Sequence, residues 1–365
     1  MNISKIMTKK VISVDINEPM NKVLSIMDSR GIKELPVLRK KKYCGLFVYY
    51  DLISREVSKT DKIEKYMRKV AVLDPKDDIE KAIKSMQGGG IGALPVTDDE
   101  GKVVGIVSDY DIIKLLINNR VFDSLKVEDV VIRRFPILRT EDTIGRAQKL
   151  AAVNRIDGLP IIDNFGRLVG QVLLSDILKY IFSSYAGKKP GRRNLDTNKP
   201  TNVLDRNIME ISMKEAPKIS LTLNLRRALE IMLSAKIKGT IVVDSDGKPV
   251  GILSRLKILD LLGGKNIGDN VAVELSGEYD WELLLLTRSE INKRENMLYK
   301  SAGVTMIRIH IKRIRDISGK YQLNMLVMGK KRYNIKVDGV IKDVLLEEAM
   351  DKLDNALEHD KRETF

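Results

Sequence analysis

A single cysteine, Cys44, among 365 residues excludes an internal disulfide framework and a cysteine-rich metal site. Two histidines, His310 and His359, leave little for zinc chemistry or histidine-based catalysis. No carboxylate pair, Ser-His array or metal-ligand spacing stands out, so the chain is not expected to be an enzyme, and no cofactor is required. No stretch approaches the roughly 18 consecutive apolar residues that a membrane span needs. Met1 to Thr8 also lacks the charged start and apolar run of a signal peptide. The expectation is a cytoplasmic protein with no membrane partner.

What the chain has in abundance is positive charge. Its formal net charge is +14 and its pI is near 9.5. Such a surface attracts polyanions at long range, although a lysine-rich, solvated surface of the kind found in heat-adapted proteins would carry the same charge. With 43% hydrophobic residues the chain is globular, and its length suggests two or three domains.

One unit occurs four times. Leu35-Pro36-Val37, Leu94-Pro95-Val96, Leu159-Pro160-Ile161 and Thr240-Ile241-Val242 align. Nine or ten residues after each central position stands a glycine: Gly45, Gly105, Gly170 and Gly251. Six residues further on are Asp51, Asp111, Asp176 and, as the exception, Lys257. Upstream, Met20, Val23 and Met27, then Ile79, Ala82 and Met86, Ile144, Ala147 and Ala151, and Leu225, Ala228 and Met232 repeat at spacings of three, four and seven. That spacing marks one face of a helix. Each unit therefore reads as helix, strand, hairpin turn, strand, helix. The turns are Asp98-Asp99-Glu100-Gly101, Asp163-Asn164-Phe165-Gly166 and Asp244-Ser245-Asp246-Gly247, with Arg39-Lys40-Lys41-Lys42 in the first copy. A unit of about 60 residues buries its sheet poorly alone, so copies should pair.

The unit resembles the CBS domain, and two in tandem resemble a Bateman module. The resemblance covers residues 1 to 262 and implies adenosine-ligand sites between paired repeats, with a Ser or Thr three residues after the glycine and an Asp six after it. Repeat two has both, Ser108 and Asp111; repeat one has Val48 with Asp51, and repeat three Leu173 with Asp176. Repeat four has Ser254 but Lys257. A carboxylate can accept from both ribose hydroxyls, and a hydroxyl at a helix start can reach phosphate. On this basis Ile91, Ala93, Pro95, Ser108 and Asp111 are the candidate nucleotide site, with AMP, ADP or ATP as ligand. The competing role is local: Ser108-Asp109-Tyr110-Asp111 is also a helix-capping pattern, and capping is preferred for Asp51 and Asp176. Gly88-Gly89-Gly90 is expected to end a helix rather than hold phosphate.

Past Gly263-Gly264 the pattern changes to β-α-β-β-β-α, an α+β sandwich with both helices on one side of the sheet. Ile307, Ile309, Ile311, Leu323, Met325, Val327, Tyr333, Ile335 and Val337 share the inward phase. Arg308, His310, Lys312, Gln322, Asn324, Arg332, Asn334 and Lys336 share the outward one. Residues 300–337 hold ten Lys or Arg against one acid, Asp316, whereas 338–363 are acidic by nine to four. Such segregation favours a polyanion surface. The unit resembles the ribosome hibernation-promoting factor family, which implies binding to rRNA of the small ribosomal subunit.

The expected fold class is α/β and α+β: Bateman module 1 at 1–122, Bateman module 2 at 123–264 with a basic linker at 185–203, and a hibernation-factor-like domain at 270–365. Arg308, His310, Lys312, Arg332, Asn334 and Lys336 are the candidate RNA contacts, joined by Lys188, Lys189, Arg192 and Arg193 of the linker. No DNA partner is expected. The leading expectation is a ribosome-associated hibernation or translation-inhibition factor that binds rRNA and is open to control by adenine nucleotides; the alternative is an adenine-nucleotide-sensing CBS protein that regulates a protein partner.

Overall fold

The computed structural model describes residues 2–118, 122–123, 125–154, 156, 158–184, 202–215, 217–262, 271–279, 281–314 and 319–363. Repeat one comprises β1 (Val14–Asp15), α1 (Met20–Arg30), β2 (Glu34–Arg39), β3 (Lys42–Val48) and a 3-10 turn at Tyr49–Ser54. Repeat two has α2 (Ile79–Gly89), β4 (Ala93–Thr97), β5 (Val103–Ser108) and α3 (Asp109–Asn118). Repeat three has α4 (Val127–Val130), β6 (Leu138–Arg139), α5 (Ile144–Asn154), β7 (Gly158–Ile162), β8 (Leu168–Leu173) and α6 (Leu174–Ser184). Repeat four has β9 (Lys218–Ser220), α7 (Leu225–Ser234), β10 (Gly239–Val243), β11 (Pro249–Ser254) and α8 (Arg255–Leu262).

All twelve apolar positions of the upstream helices are buried, which is why their 3.6-residue period could be read without any alignment. Each hairpin carries a register shift at the same place, after Val37, Val96, Ile161 and Val242. Gly101, Gly166 and Gly247 close their turns with φ near +78°. In the first copy Lys40 and Lys41 occupy left-handed conformations instead, at φ 50° and 67°. Gly90 caps α2 in a left-handed conformation, so the glycine run ends a helix.

The repeats pair by exchanging entrance segments. Thr8 bridges Ile106 in repeat two, while Arg68, which leads into repeat two, bridges Leu46 in repeat one. Repeats three and four do the same through Ile132 with Ile252 and Gln171 with Met213. The crossing explains the glycine common to all copies. A Cβ on Gly105 would stand 2.4 Å from Met7 Sδ, and one on Gly251 would stand 2.1 Å from Val131 Cγ2 and 2.9 Å from the Ile132 carbonyl. At Gly251 the crossing backbone itself leaves no room for a side chain, whereas at Gly105 the flexible Met7 side chain would have to move.

The chain groups into two compact units. One holds residues 1–115, 131–223 and 227–256; the other holds 116–130, 224–226 and 257–365. The C-terminal part of the second unit contains β12 (Ala272–Gly277), α9 (Trp281–Asn296), β13 (Met306–Arg313), β14 (Tyr321–Met328), β15 (Arg332–Gly339) and α10 (Lys342–Glu363). A π-helical turn at Met297–Ser301 follows α9. The sheet order is β12-β13-β14-β15, with β12 parallel to β13 and the other pairs antiparallel. Ile307, Ile309, Ile311, Leu323, Met325 and Val327 join Leu345, Ala349, Leu353 and Leu357 in its core.

Candidate functional site

In repeat two the antiparallel register sets Ala93 opposite Ser108 and Pro95 opposite Ile106. Ile91, Ala93 and Pro95 are buried, and Ser108 ends β5 as Asp109 begins α3. The five expected site residues therefore lie around one strand end and one helix start. The Pro95 carbonyl already accepts from the Leu73 N–H at 3.0 Å.

Ser108 and Asp111 form a reciprocal capping box. Asp111 Oδ2 accepts from the Ser108 N–H at 2.9 Å and from its hydroxyl at 2.6 Å, and the Asp111 N–H donates back to Ser108 Oγ at 3.4 Å. One carboxylate oxygen takes both bonds. The other, Oδ1, has no hydrogen-bond partner among the described residues and stays free to accept. Capping and ligand contact are thus not exclusive here.

The equivalent positions diverge. Asp176 caps its own helix weakly, accepting from the Leu173 N–H at 3.4 Å. Burial pushes its carboxyl above the usual aspartate range, against the pull of that bond and of Lys179 and Lys33. Asp51 departs from the capping role expected of it and lies 3.2 Å from Arg68 Nε. That Nε makes no aligned hydrogen bond, so the contact is one of charge. Lys257 sits 3.2 Å from Asp260, one turn along its own helix.

A second cluster, not expected from the sequence, lies where the two pairs of repeats meet within the first unit. Asp109 and Arg255 are 2% and 4% exposed, and Arg255 Nη2 lies 3.1 Å from Asp109 Oδ1. Glu34 accepts from Lys238 Nζ at 2.7 and 3.0 Å and from the Gly92 N–H at 3.3 Å. A Cβ on Gly92 would stand 3.1–3.2 Å from Lys238 Nζ, Asp109 Oδ2 and Glu34 Oε1, so the two pairs converge on that backbone. The Arg255 guanidinium and Lys238 ammonium lie over the rings of Tyr110 and Tyr50, at 5.6 and 5.4 Å. A signal did exist: Asp109 and Arg255 each stand four residues after their repeat's glycine, with opposite charge.

In the C-terminal sheet Arg308, His310, Lys312, Arg332, Asn334 and Lys336 are exposed, and Asn324 is half-buried. Gln322 departs from its outward polar neighbours: it is buried and donates to Asp338 Oδ1 at 2.7 Å. The face is also less basic than the residue count over 300–337 suggests. Arg308 Nε lies 2.5 Å from Glu274 on the neighbouring strand, and His310 Nδ1 shares a hydrogen bond with Ser276 Oγ at 3.0 Å. Lys188, Lys189, Arg192 and Arg193 lie outside the described residues. Among the described residues no group of three or more His, Cys, Asp or Glu could hold a metal ion, and no helix is long and apolar enough to cross a membrane.

The CBS domain model matches residues 3–58, 63–118, 127–183 and 208–264. Protein MJ1404 of Methanocaldococcus jannaschii is 30% identical over 329 residues, 87% of this chain and 75% of that protein. Inosine-5'-monophosphate dehydrogenase of the same organism is 32% identical over 123 residues, 34% of this chain and 23% of the enzyme. The crystal structure of M. jannaschii protein MJ1225, a candidate archaeal homologue of g-AMPK, superposes with a TM-score of 0.62 at 20% identity, covering 71% of this chain and 99% of that one. This last match is one of fold. The family matches end at residue 264 and lend the ribosome-factor resemblance no support. Four matched segments, spanning well over half of the residues, place the chain in the CBS domain family.

Proposed function

We propose that the protein is a regulatory CBS protein that senses an adenine nucleotide in repeat two and acts on a protein partner rather than catalysing a reaction. One observation carries this reading. The capping box occupies only one oxygen of Asp111, leaving Oδ1 at the mouth of a helix N-terminus. A ribose hydroxyl can donate to that oxygen, and phosphate suits the positive end of the helix dipole. Repeat four, with Lys257 at the equivalent position, has no such acceptor.

The test is thermal. AMP, ADP or ATP at saturating concentration should raise Tm by linkage, and Asp111→Ala should abolish the shift as well as lower the baseline. A nucleotide shift retained in Asp111→Ala would make Asp111 a capping residue only. No shift in the wild-type protein would make the repeats a scaffold.

A second reading attaches to the C-terminal unit, favoured by its open sheet face carrying Arg308, Lys312, Arg332 and Lys336. That face would contact RNA backbone, and the resemblance to hibernation factors would make the RNA ribosomal. Gradient sedimentation at low and high salt separates the two. A ribosome-bound factor travels with particles at low salt and leaves them at high salt; a pure sensor stays at the top in both.

A further inference from the structure

The two pairs of repeats meet through two dissimilar contacts, and the position four residues after each repeat's glycine governs both. In repeats one and three that residue is Tyr49 and Leu174, buried in a shared apolar core with Leu52, Ile53, Ile177 and Leu178. In repeats two and four it is Asp109 and Arg255, paired at 3.1 Å and almost without solvent.

We infer that the Asp109–Arg255 pair is a partner-selection code, fitting repeat two to repeat four of the same chain and excluding pairing between like modules of two copies. The repeats share one helix-strand-strand core, so a rearranged pairing would bring the same elements together. Setting repeat two against repeat three would put Asp109 beside Leu174, and repeat one against repeat four would put Arg255 beside Tyr49. Each takes the charge away from its buried counterion and sets it against Tyr49 or Leu174, where the charged neighbours are the more exposed Asp28, Lys33, Asp176 and Lys179. Like modules from two chains would oppose Asp109 to Asp109, or Arg255 to Arg255. Repeat two against repeat four gives each buried charge a counterion at 3.1 Å, and Glu34–Lys238 repeats the same sense between repeats one and four.

Stability alone does not account for the pair. A buried ion pair is often no more stabilising than apolar residues of the same volume, whereas buried polar groups are well attested as devices that choose register and partner. Arg255 Nε, which has no hydrogen-bond partner among the described residues, shows that the guanidinium is held by charge and not by a saturated network.

Mass distribution by light scattering and thermal melting of the full chain test this, with Asp109→Arg, Arg255→Asp, the double reversal and the apolar pair Asp109→Leu/Arg255→Met. Each single reversal should lower Tm. The double reversal should recover most of it and the wild-type mass. The apolar pair should keep a Tm within a few degrees of wild type yet spread into a concentration-dependent mixture of masses. A folded apolar variant with the wild-type mass at every concentration would overturn the selection role. A double reversal as unstable as the single ones would show that the charges are not coupled. Neither readout requires bound nucleotide, so failure of the nucleotide site would leave the result unaffected.

Discussion

Repeats two and four share a fold and differ in sign. At the fourth residue past the glycine one carries Asp109 and the other Arg255; at the sixth, one carries Asp111 and the other Lys257. The first difference joins them across a buried contact. The second separates them, since Asp111 is boxed with Ser108 and keeps one acceptor, whereas Lys257 turns along its own helix to Asp260. Copies of one architecture thus diverge where they face each other and at the proposed ligand position, while the helices behind them keep the same apolar positions.

Breaking the comparison at the fourth position should have the largest effect. Asp109→Leu alone leaves the Arg255 guanidinium buried without its carboxylate, which costs about 3–5 kcal/mol, read by urea denaturation. An equal midpoint in wild type and variant would mean that water reaches Arg255 and relieves the charge.

The glycines sharpen the comparison. Gly251→Ala meets the Val131 side chain and the Ile132 backbone, whereas Gly105→Ala meets only the Met7 side chain. Overpacking of this kind costs about 1–3 kcal/mol. Repeat four should take the upper end and repeat two the lower, because a methionine yields where a carbonyl does not. Equal losses would mean that the entrance strands shift as freely in both pairs.

Asp176→Asn tests the equivalent position in repeat three. Burial raises the Asp176 carboxyl in the folded state, so between its unfolded and folded pKa values the folded protein binds more protons. Stability from this group is therefore present at low pH and lost as pH rises through the raised value. The amide, which still accepts from Leu173, should be slightly more stable than wild type at pH 7, and the difference should vanish below the ordinary aspartate range. A variant less stable at pH 7 would make the ionised carboxylate a net asset.

The smallest change in stability is expected at the open sheet. Replacing Arg308, Lys312, Arg332 and Lys336 with Gln leaves the buried Ile and Val face intact, and surface changes of this kind alter stability by about 0.5 kcal/mol. If this face binds RNA, the slope of log affinity against log salt should flatten by about 0.7–0.9 for each phosphate the variant no longer neutralises. Arg308 should contribute least, because Glu274 already neutralises it. A folded variant that binds ribosomes with the wild-type slope removes this face from the RNA interface.

Much of the architecture was legible because its signals are local. The helix faces at Met20, Ile79, Ile144 and Leu225, the hairpin glycines and the alternation through Ile307, Ile309 and Ile311 depend on neighbours within one element. The candidate site was legible in part. Ser108 and Asp111 were visible as a pair, but a capping pattern and a ligand motif share the same letters; the structure shows the capping bonds to Oδ2, which leave Oδ1 without a partner among the described residues. Asp51 was misjudged as a cap because its partner, Arg68, arrives on an exchanged segment 17 residues away. The basic face was overestimated because Glu274 comes from a strand more than 30 residues earlier.

The amino-acid sequence by itself determined that there are four repeats, which residues turn inward, and where a glycine recurs in each copy, since periodicity and turn chemistry act over a few residues. The tertiary structure decided what those glycines are for, which repeats meet, and which charges find counterions. Glu34 and Lys238 lie 204 residues apart. A contact between such residues depends on desolvation and geometry that exist only once entrance strands have crossed and both pairs of repeats have packed.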